Sequence, residues 1–310
     1  MPSPSPALVS VDWGTSAFRA RLAAADGAIL DTVEAEVGAT GLASGAHEGF
    51  VEAQIGDWMR RFPGLPIVMS GMVGSRQGWV EAPYVACPAG AAEIAAAATT
   101  IPTTRIGRVV VVPGLSVRDQ RGAPDVMRGE ETQILGALAA SGRADGLFVL
   151  PGTHSKWARI EAGRIVGFAT FMTGEVFAAL KDHSLLGRLM APPDKADAAA
   201  AAGAFARGLA SAAGLERPGD LLHAIFMTRT LGLFHELPAH ALAEYLSGLL
   251  IGAEILAGAQ SAREAFVVGS LALTARYRAA GDALGIALTP APQDCATLGQ
   301  IALLERMGAL

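Results

Sequence analysis

The residues Val11-Asp-Trp-Gly-Thr-Ser-Ala-Phe-Arg-Ala-Arg21 set the fold of this chain. An apolar, β-compatible run leads into them, and a Gly-Thr turn interrupts them. A second turn at Asp26-Gly27 then reverses the chain again. Apolar runs separated by short glycine-containing turns predict strands joined by hairpins. The motif therefore predicts three antiparallel strands at the start of the chain.

The motif occurs a second time as Val149-Leu-Pro-Gly-Thr-His-Ser-Lys-Trp-Ala-Arg159, with Gly, Thr, Ala and Arg matching in order at an offset of 138 residues. This copy also leads to a glycine-containing turn, Glu161-Ala-Gly163, and then to a further β-compatible run. A plan that repeats half a chain apart indicates two related domains. Helical patterns, among them 130–141, alternate with the strands, so the predicted class is α/β.

Composition excludes several classes of protein. The chain has 310 residues, of which 51% are hydrophobic and 17% charged, and its net charge is −5. This is too apolar for a disordered chain and too acidic for non-specific nucleic-acid binding. The two cysteines do not form a disulfide framework, which favours a reduced, cytoplasmic location.

Two segments bear on membrane insertion. Residues 241–260 are apolar, but they include Glu244, Glu254 and three glycines, and their large side chains recur at helical spacing. This pattern predicts a core helix. Residues 1–6 lack the basic and apolar regions of a signal peptide and are expected to be a short flexible lead-in. We expect no membrane partner.

The two Gly-Thr turns suggest phosphate binding. Glycine lets the backbone approach a ligand closely, and successive N–H groups can enclose an anion. Only the first copy carries an acid, Asp12, because Leu150 takes its place in the second. A single carboxylate together with phosphate oxygens can hold Mg²⁺. Each turn alone could equally be an ordinary hairpin turn. The sequence has neither a Walker A loop nor a GxGxxG fingerprint.

Two further segments carry polar groups. Glu130 and Glu131 open the predicted helix 130–141, where acids complement the helix dipole or could supply a general base. The loop 70–76 follows a buried strand and could bind a small polyol, with Arg76 pairing to a carboxylate. A solvated loop is the alternative. Residues 172–176 form a similar polar segment beside an apolar strand.

Five runs of residues are distinctive. They are Val11-Asp-Trp-Gly-Thr-Ser16, Ser70-Gly-Met-Val-Gly-Ser75, Asp125-Val-Met-Arg-Gly-Glu-Glu-Thr-Gln133, Leu150-Pro-Gly-Thr-His-Ser-Lys-Trp157 and Phe171-Met-Thr-Gly-Glu-Val-Phe177. Taken together, these runs resemble the 2-dehydro-3-deoxygalactonokinase family over essentially the whole chain.

The resemblance implies two related actin-like ATPase (ribonuclease H-like) domains around an interdomain nucleotide cleft. The expected division is a substrate and phosphate domain over residues 1–140 and a nucleotide-binding domain over residues 141–310. The implied reaction is the ATP-dependent phosphorylation of the 6-hydroxyl of 2-dehydro-3-deoxy-D-galactonate in galactonate catabolism.

The resemblance also implies roles for individual residues. Asp12 is the expected catalytic acid beside Mg²⁺, and Glu131 the favoured general base, with Glu130 as the alternative. The expected nucleotide-binding residues are Gly14, Thr15, Ser16, Gly152, Thr153, His154, Ser155, Gly269 and Ser270. The expected substrate-binding residues are Ser70, Gly71, Met72, Ser75, Arg76, Arg128, Lys156, Thr173 and Glu175. Many relatives in the superfamily carry Gly-Gly where this chain has Gly269-Ser270.

Two alternatives stay open at this point. One is another small-molecule kinase of the same superfamily, acting on a keto-deoxygluconate, an amino sugar or pantothenate. The other is a non-catalytic sugar or nucleotide sensor, although a sensor would not need the acidic pair at 130–131. A homodimer is an assembly that the sequence leaves open.

Overall fold

The computed structural model describes residues 4–217 and 219–310, so part of the expected lead-in at 1–6 lies outside the described residues. The strands are β1 (Pro6–Trp13), β2 (Phe18–Ala24), β3 (Ile29–Ala35), β4 (Ile67–Gly71), β5 (Tyr84–Ala86), β6 (Thr99–Ile101), β7 (Val109–Val111), β8 (Gly114–Arg118), β9 (Pro124–Met127), β10 (Gly146–Leu150), β11 (Ser155–Glu161), β12 (Arg164–Phe171), β13 (Glu264–Val267) and β14 (Ala287–Pro290).

Helices alternate with these strands, as the α/β prediction requires. They are α1 (His47–Arg61), α2 (Ala91–Ala96), α3 (Glu130–Ser141), α4 (Thr173–His183), α5 (Ala198–Ala213), α6 (Asp220–Leu233), α7 (Leu242–Ala259), α8 (Leu271–Leu284) and α9 (Cys295–Arg306). Short 3-10 turns lie at Ala39–Gly41, Met72–Gly74, Gly187–Leu189, Lys195–Asp197 and Ala239–Ala241.

The first sheet has the strand order β3-β2-β1-β4-β7-β6. The pairs β1–β2 and β2–β3 are antiparallel, which confirms the three predicted strands. Strand β4 pairs with β1 in parallel, so that Asp12 lies beside Ser70 and Trp13 beside Gly71. Trp13 is fully buried, and its ring stacks on Phe50. This register brings the carboxyl ends of β1 and β4 together, where α/β proteins bind their ligands.

The second sheet repeats the plan of the first, with the order β12-β11-β10-β13-β14. Here β10 occupies the place of β1, and β13 pairs with it in parallel as β4 does with β1. The repeated motif thus produces the same strand, turn and strand in both halves. The structure confirms the internal repeat that the sequence predicts. A separate three-stranded sheet, β5-β8-β9, has no counterpart among the described strands of the second half.

The chain divides into two compact units. The first comprises residues 1–146, 158–168 and 291–310, and the second comprises residues 147–157 and 169–290. The sequence predicts a division near residue 140, with the C-terminal segment in the second domain. In the structure, residues 291–310 belong to the first unit instead, because α9 packs on α3 and on β1. The hairpin at 158–168 joins the first unit through a β-bridge between Ala89 and Ile165.

One helical stretch among the described residues, Ala239–Ala259, is long and apolar enough to cross a membrane, with a mean hydropathy of 1.4. The structure buries 67% of it inside the protein. Its buried face includes Tyr245, Leu249 and Ile255 within the cores of the second unit. The segment is therefore the core helix that its residue spacing predicts.

The crossing of α3 and α9 holds the C-terminal helix on the first unit. A methyl group on Gly136 would lie 1.8 Å from the carbonyl oxygen of Cys295, and one on Gly299 would lie 1.9 Å from that of Thr132. Two glycines thus let the backbones of the helices come into direct contact. A larger residue at either position must push the helices apart.

This crossing yields a stability prediction. We expect Gly136→Ala to lower the free energy of unfolding by about 2–3 kcal/mol, because the new methyl overlaps backbone that cannot move alone. Gly203→Ala is the matched control, since a methyl on that exposed helical glycine of α5 meets nothing within 4 Å. The control should gain about 0.5–1 kcal/mol from helix propensity. Urea unfolding of both variants checks the prediction, and equal effects would contradict it.

Candidate active site

Asp12 lies at the carboxyl end of β1, next to the first Gly-Thr turn. Its carboxylate is 22% exposed, and Arg19 Nη1 lies 3.6 Å from its Oδ2. Burial raises the pKa of Asp12, and the nearby charges of Arg19 and Arg21 partly oppose that shift. In the turn itself, Thr15 and Ser16 are exposed. The site therefore has an enclosed acid beside two hydroxyl groups that are open to a ligand.

Two glycines with positive φ bring the start of α3 to this acid. A methyl group on Gly71 (φ 95°) would lie 2.7 Å from the carbonyl oxygen of Trp13 and 3.4 Å from Asp12 Oδ1. One on Gly129 (φ 106°) would lie 3.1 Å from the Cα of Gly71. Both conformations are ones that glycine adopts readily and other residues rarely. The acidic first turn of α3 thus begins directly beside the ends of β1 and β4.

The two acids of that turn have different environments. Glu131 is fully buried, its Oε2 accepts from the Gly129 N–H at 2.7 Å, and its Oε1 accepts from the Thr132 hydroxyl at 2.9 Å. Burial, together with the charge of Glu130, raises the pKa of Glu131 to about 7. Glu130 is partly exposed and accepts from the Arg128 N–H at 2.9 Å. Glu130 is therefore the more accessible of the two acids.

Gln300 of α9 connects the carboxyl ends of β1 and β4. Its buried amide nitrogen donates to the carbonyl oxygen of Val11 at 2.9 Å and to the hydroxyl of Ser70 at 3.0 Å. Another residue of the same helix, Thr297, shares a hydrogen bond with Ser10 at 2.9 Å. Ser70, predicted as a substrate ligand, is thus fully buried and bonded inside the protein. Its position suits it to support the site.

Arg128 presents unused donors beside the loop 70–76. Its guanidinium lies 4.3 Å over the Tyr84 ring, and its Nη2 donates to the carbonyl oxygen of Ala82 at 2.8 Å. The buried Nε and Nη1 atoms have no hydrogen-bond partner, and neither has the buried hydroxyl of Ser75. A methyl group on Gly74 would lie 2.8 Å from Nη1, so the guanidinium lies against the residue before Ser75. Buried donors without partners are costly unless a ligand satisfies them.

Other predicted substrate residues lie around the same loop. Gly71 and Met72 end β4 and begin the 3-10 turn, and Arg76 is exposed just beyond Ser75. In the first unit, the fold thus brings together the acid at 12, the glycine at 71, the acids at 130–131 and the arginine at 128.

The second Gly-Thr turn, in the second unit, is held by α4. A methyl group on Gly174 would lie 2.4 Å from the carbonyl oxygen of Gly152, and the Glu175 N–H donates to the carbonyl oxygen of Thr153 at 3.0 Å. The side chains of His154 and Glu175 are in hydrogen-bond contact. A methyl on Gly152 itself would meet nothing within 4 Å. One side of this turn is therefore open.

Two residues predicted to contact ligands in this unit are enclosed. Ser155 is fully buried and lies 3.2 Å from the Tyr277 hydroxyl, and Lys156 is 6% exposed and donates to Thr170 at 2.8 Å. Gly269 and the exposed Ser270 lie between β13 and α8. The Ser270 hydroxyl caps α8 by accepting from the Leu273 N–H at 3.4 Å.

The residues around Asp12 fit a divalent cation bound through phosphate. The described residues contain no cluster of three or more His, Cys, Asp or Glu side chains able to hold a metal by themselves. Mg²⁺ usually takes one or two carboxylates together with substrate phosphates and water. Asp12 supplies one such carboxylate beside the Gly-Thr turn.

Sequence reasoning missed three residues at these sites. Arg19 could have been found, because a turn over 14–17 places residue 19 opposite residue 12 in the hairpin. Glu254 of α7 accepts from Trp157, which follows the second Gly-Thr turn. The sequence gave only a weak indication of it, as one of two acids in a mainly apolar helix. Gln300 gave none, since its partners lie 289 and 230 residues away in the sequence.

Two α/β units built on one repeated plan, with an acid beside a Gly-Thr turn, define the actin-like ATPase and sugar-kinase class of fold. The crystal structure of a Sinorhizobium meliloti protein described as a 2-dehydro-3-deoxygalactonokinase aligns with a TM-score of 0.80 and 37% identity, over 98% of this chain and 96% of that one. An activator of a 2-hydroxyisocaproyl-CoA dehydratase from Clostridium difficile shares the fold alone, with a TM-score of 0.51 and 10% identity over 97% and 95% of the two chains.

The chain belongs to the 2-keto-3-deoxy-galactonokinase family, whose model matches residues 12–303. It is 41% identical to a probable 2-dehydro-3-deoxygalactonokinase of Rhizobium meliloti (strain 1021), over 89% of each chain. It is 36% identical to the 2-dehydro-3-deoxygalactonokinase of Escherichia coli (strain K12), over 93% of this chain and 94% of that one. The predicted family and fold class are confirmed.

The environment of Glu131 yields a prediction on pH and stability. Folding raises the pKa of this buried acid from 4.5 to about 7, so the native chain holds an extra proton between these values. The free energy of unfolding therefore falls as the pH rises through this window. Glu131→Gln lacks this dependence, so its stability relative to the unmodified chain should rise by about 2 kcal/mol between pH 5 and pH 8.

Urea unfolding at four pH values measures this difference. Glu305→Gln, an exposed acid at the end of α9, is the control and should show no such trend. A flat difference for Glu131→Gln would show that the buried carboxyl titrates normally.

Proposed function

We propose that this chain transfers the γ-phosphoryl group of ATP to the 6-hydroxyl of 2-dehydro-3-deoxy-D-galactonate, forming the 6-phosphate and ADP. Family membership and the relatives named above support a kinase of this kind. The observation that carries the choice of acceptor is Arg128, which has two buried and unpartnered nitrogens. Its guanidinium lies against Gly74, the residue before Ser75, whose buried hydroxyl is also unpartnered. A sugar acid brings the carboxylate that such donors require.

The carboxylate would be bound by Arg128 and Ser75. A guanidinium presents parallel donors to the two oxygens of a carboxylate, and stacking on Tyr84 holds its plane. Because Arg128 directly precedes Gly129 and the acids of α3, a molecule bound to Arg128 would lie next to the first turn of the helix. We assign Gly71, Met72 and Arg76 to the same substrate region.

The proposed acceptor of the hydroxyl proton is Glu130. It is partly exposed, whereas both oxygens of Glu131 are already engaged inside the protein. Reach to the reacting proton decides this role before the pKa does. As the phosphoryl group leaves ADP and bonds to the substrate oxygen, the hydroxyl proton passes to the carboxylate of Glu130. Glu131 holds the helix start in place.

The phosphates of ATP are assigned to the two Gly-Thr turns. In the first unit, Gly14, Thr15 and Ser16 offer N–H and hydroxyl donors beside Asp12, which would hold Mg²⁺. The metal, when bound, neutralises charge on the phosphates. In the second unit, Gly152, Thr153 and His154 offer the donors, with Ser155, Lys156, Thr173 and Glu175 supporting the turn. Gly269 and Ser270 are assigned to the adenosine.

The remaining expectations stay predictions. They are the cytoplasmic location, the absence of nucleic-acid and membrane partners, the homodimer, and the assignment of substrate binding to residues 1–140 and nucleotide binding to residues 141–310. The alternative acceptors are the gluconate-derived epimer, which differs from the proposed one at one hydroxyl, and the chemically more distant amino sugars and pantothenate. A non-catalytic sensor would show no turnover on any of them.

Coupled ADP release tests the function directly. With ATP and Mg²⁺, we expect turnover on 2-dehydro-3-deoxygalactonate and a lower kcat/KM on its gluconate-derived epimer and on the other candidate acceptors. Asp12→Ala should abolish turnover without unfolding the chain. ATP binding without ADP release on any acceptor would instead support a sensor.

The two acids are separated by single variants. We expect Glu130→Gln to lower kcat by about a hundredfold or more, because it removes the proton acceptor. Glu131→Gln should stay within about tenfold, since an amide oxygen can still accept from the Gly129 N–H. Steady-state kinetics with both substrates saturating measures kcat. The reverse order would transfer the role of the base to Glu131.

The carboxylate site predicts a selective effect on one substrate. Arg128→Met should raise KM for the sugar acid about a hundredfold, through loss of a charge-assisted pair, and leave KM for ATP within about twofold. Arg118→Met is the control. That exposed arginine ends β8 in the sheet β5-β8-β9, whose last strand ends just before Arg128. It bonds only to the carbonyl oxygen of Gly122 among the contacts described. An equal rise in both KM values would contradict the assignment.

A further inference from the structure

A buried acid lies beneath the second Gly-Thr turn and has no part in the proposed reaction. Glu254 belongs to the core helix α7 and is 2% exposed. Burying a carboxylate is costly unless donors surround it. Such a group in the buried part of a core helix requires a physical reason.

Four neutral donors converge on this carboxylate. The Trp157 indole N–H donates to Oε1 at 2.9 Å, and the Tyr277 hydroxyl donates to Oε2 at 2.7 Å. Hydrogen bonding from the hydroxyls of Thr173 and Ser155 also acts to lower the pKa of Glu254. Burial nevertheless raises the pKa of Glu254, and burial followed by the charge of Glu254 raises the pKa of Tyr277. The side chains form one connected network within the second unit.

The donors come from the segments that shape the nucleotide site assigned above. Ser155 and Trp157 begin β11 directly after the turn, and the Gly152 N–H lies 3.4 Å from the Ser155 hydroxyl. Thr173 begins α4, whose Gly174 lies against the carbonyl oxygen of Gly152. One acid thus contacts both segments that fix the backbone of the turn.

The fourth donor links the turn to the adenosine segment. Tyr277 belongs to α8, the helix that Ser270 caps and that begins directly after Gly269 and Ser270. The Thr274 hydroxyl, one turn before Tyr277, donates to the carbonyl oxygen of Gly269 at 3.4 Å. Through Tyr277, the same carboxylate holds α8 against α7.

We infer that Glu254 is a positioning residue for nucleotide binding, which fixes the Gly152–Ser155 turn and the start of α8 relative to each other. This inference rests on the proposed function only in assigning these two segments to ATP. The acid touches no substrate and acts through the backbone that it orients. Pre-organised donors bind a phosphate without the cost of ordering them on binding.

The test compares Glu254→Gln with Asp282→Asn. Asp282 is an exposed acid of α8 whose side chain has no contact with the turn or with α7 among the contacts described. An amide can accept from one set of donors, while its own N–H groups oppose the other set. We expect Glu254→Gln to weaken ADP binding by about tenfold or more, measured by calorimetry, and the control to stay within about twofold.

Kinetics separates positioning from general damage. For Glu254→Gln, KM for ATP should rise about tenfold, while KM for the sugar acid stays within about twofold. Tyr277→Phe removes one donor and keeps the ring, so it should weaken ADP binding by about threefold or more. That variant carries the test if Glu254→Gln does not fold.

The outcomes separate this inference from the proposed function. Unchanged ADP affinity in a folded Glu254→Gln or Tyr277→Phe, or equal rises in both KM values, would overturn the positioning role and leave the kinase reaction untouched. If the chain binds ADP but forms no ADP from ATP with any sugar acid as acceptor, the proposed reaction is overturned. The calorimetric comparison would still decide the role of Glu254. A chain that binds no ADP at all would overturn both.

Discussion

The candidate active site depends on the close approach of Gly129 to Gly71. Neither position leaves room for a side chain, because a methyl on Gly129 would lie 3.1 Å from the Gly71 Cα and one on Gly71 would lie 2.7 Å from the Trp13 carbonyl oxygen. Both residues also have a positive φ, which glycine tolerates without strain. This contact sets the distance between the start of α3 and the ends of β1 and β4. Arg128 and the acids of α3 flank Gly129, so this contact brings them close to Asp12 at the end of β1.

The C-terminal helix fixes the same arrangement from the opposite side. Gln300 bonds to Val11 and Ser70, and Gly299 lies against the Thr132 carbonyl in the first turn of α3. Residues near 12, 70, 130 and 300 therefore form one structure, although they are far apart in the sequence. Burial raises the pKa of both Asp12 and Glu131 there, so the fold disfavours the charged form of two acids at this site. Acids of perturbed pKa beside unpartnered donors are typical of ligand sites.

Local signals made much of the fold predictable from the sequence. The three N-terminal strands follow from apolar runs and hairpin turns, and the predicted helix 130–141 has the observed bounds because glycines precede and follow it. The motif residues themselves indicated the acid at 12 and both Gly-Thr turns. The neighbouring sequence does not show whether Ser70, Ser155 and Lys156 face a ligand or the interior, because their partners come from other helices and strands. The place of α9 in the first unit depends on packing against α3, which no pattern within either helix reveals.

The repeated motif uses its two copies differently. In the first copy, the acid follows β1, and Arg19 lies opposite it in the hairpin, so the charge faces the turn. In the second copy, Leu150 replaces that acid and Trp157 occupies the place of Arg19. The indole N–H of Trp157 donates to Glu254, an acid supplied by a helix beneath the turn. Both hairpins thus set an N–H donor on a carboxylate, but the second carboxylate is enclosed by neutral donors. Asp12 keeps 22% of its side chain exposed beside the first turn, whereas Glu254 is 2% exposed beneath the second. The same plan therefore yields one turn with an accessible acid and one turn with an acid bonded only within the protein.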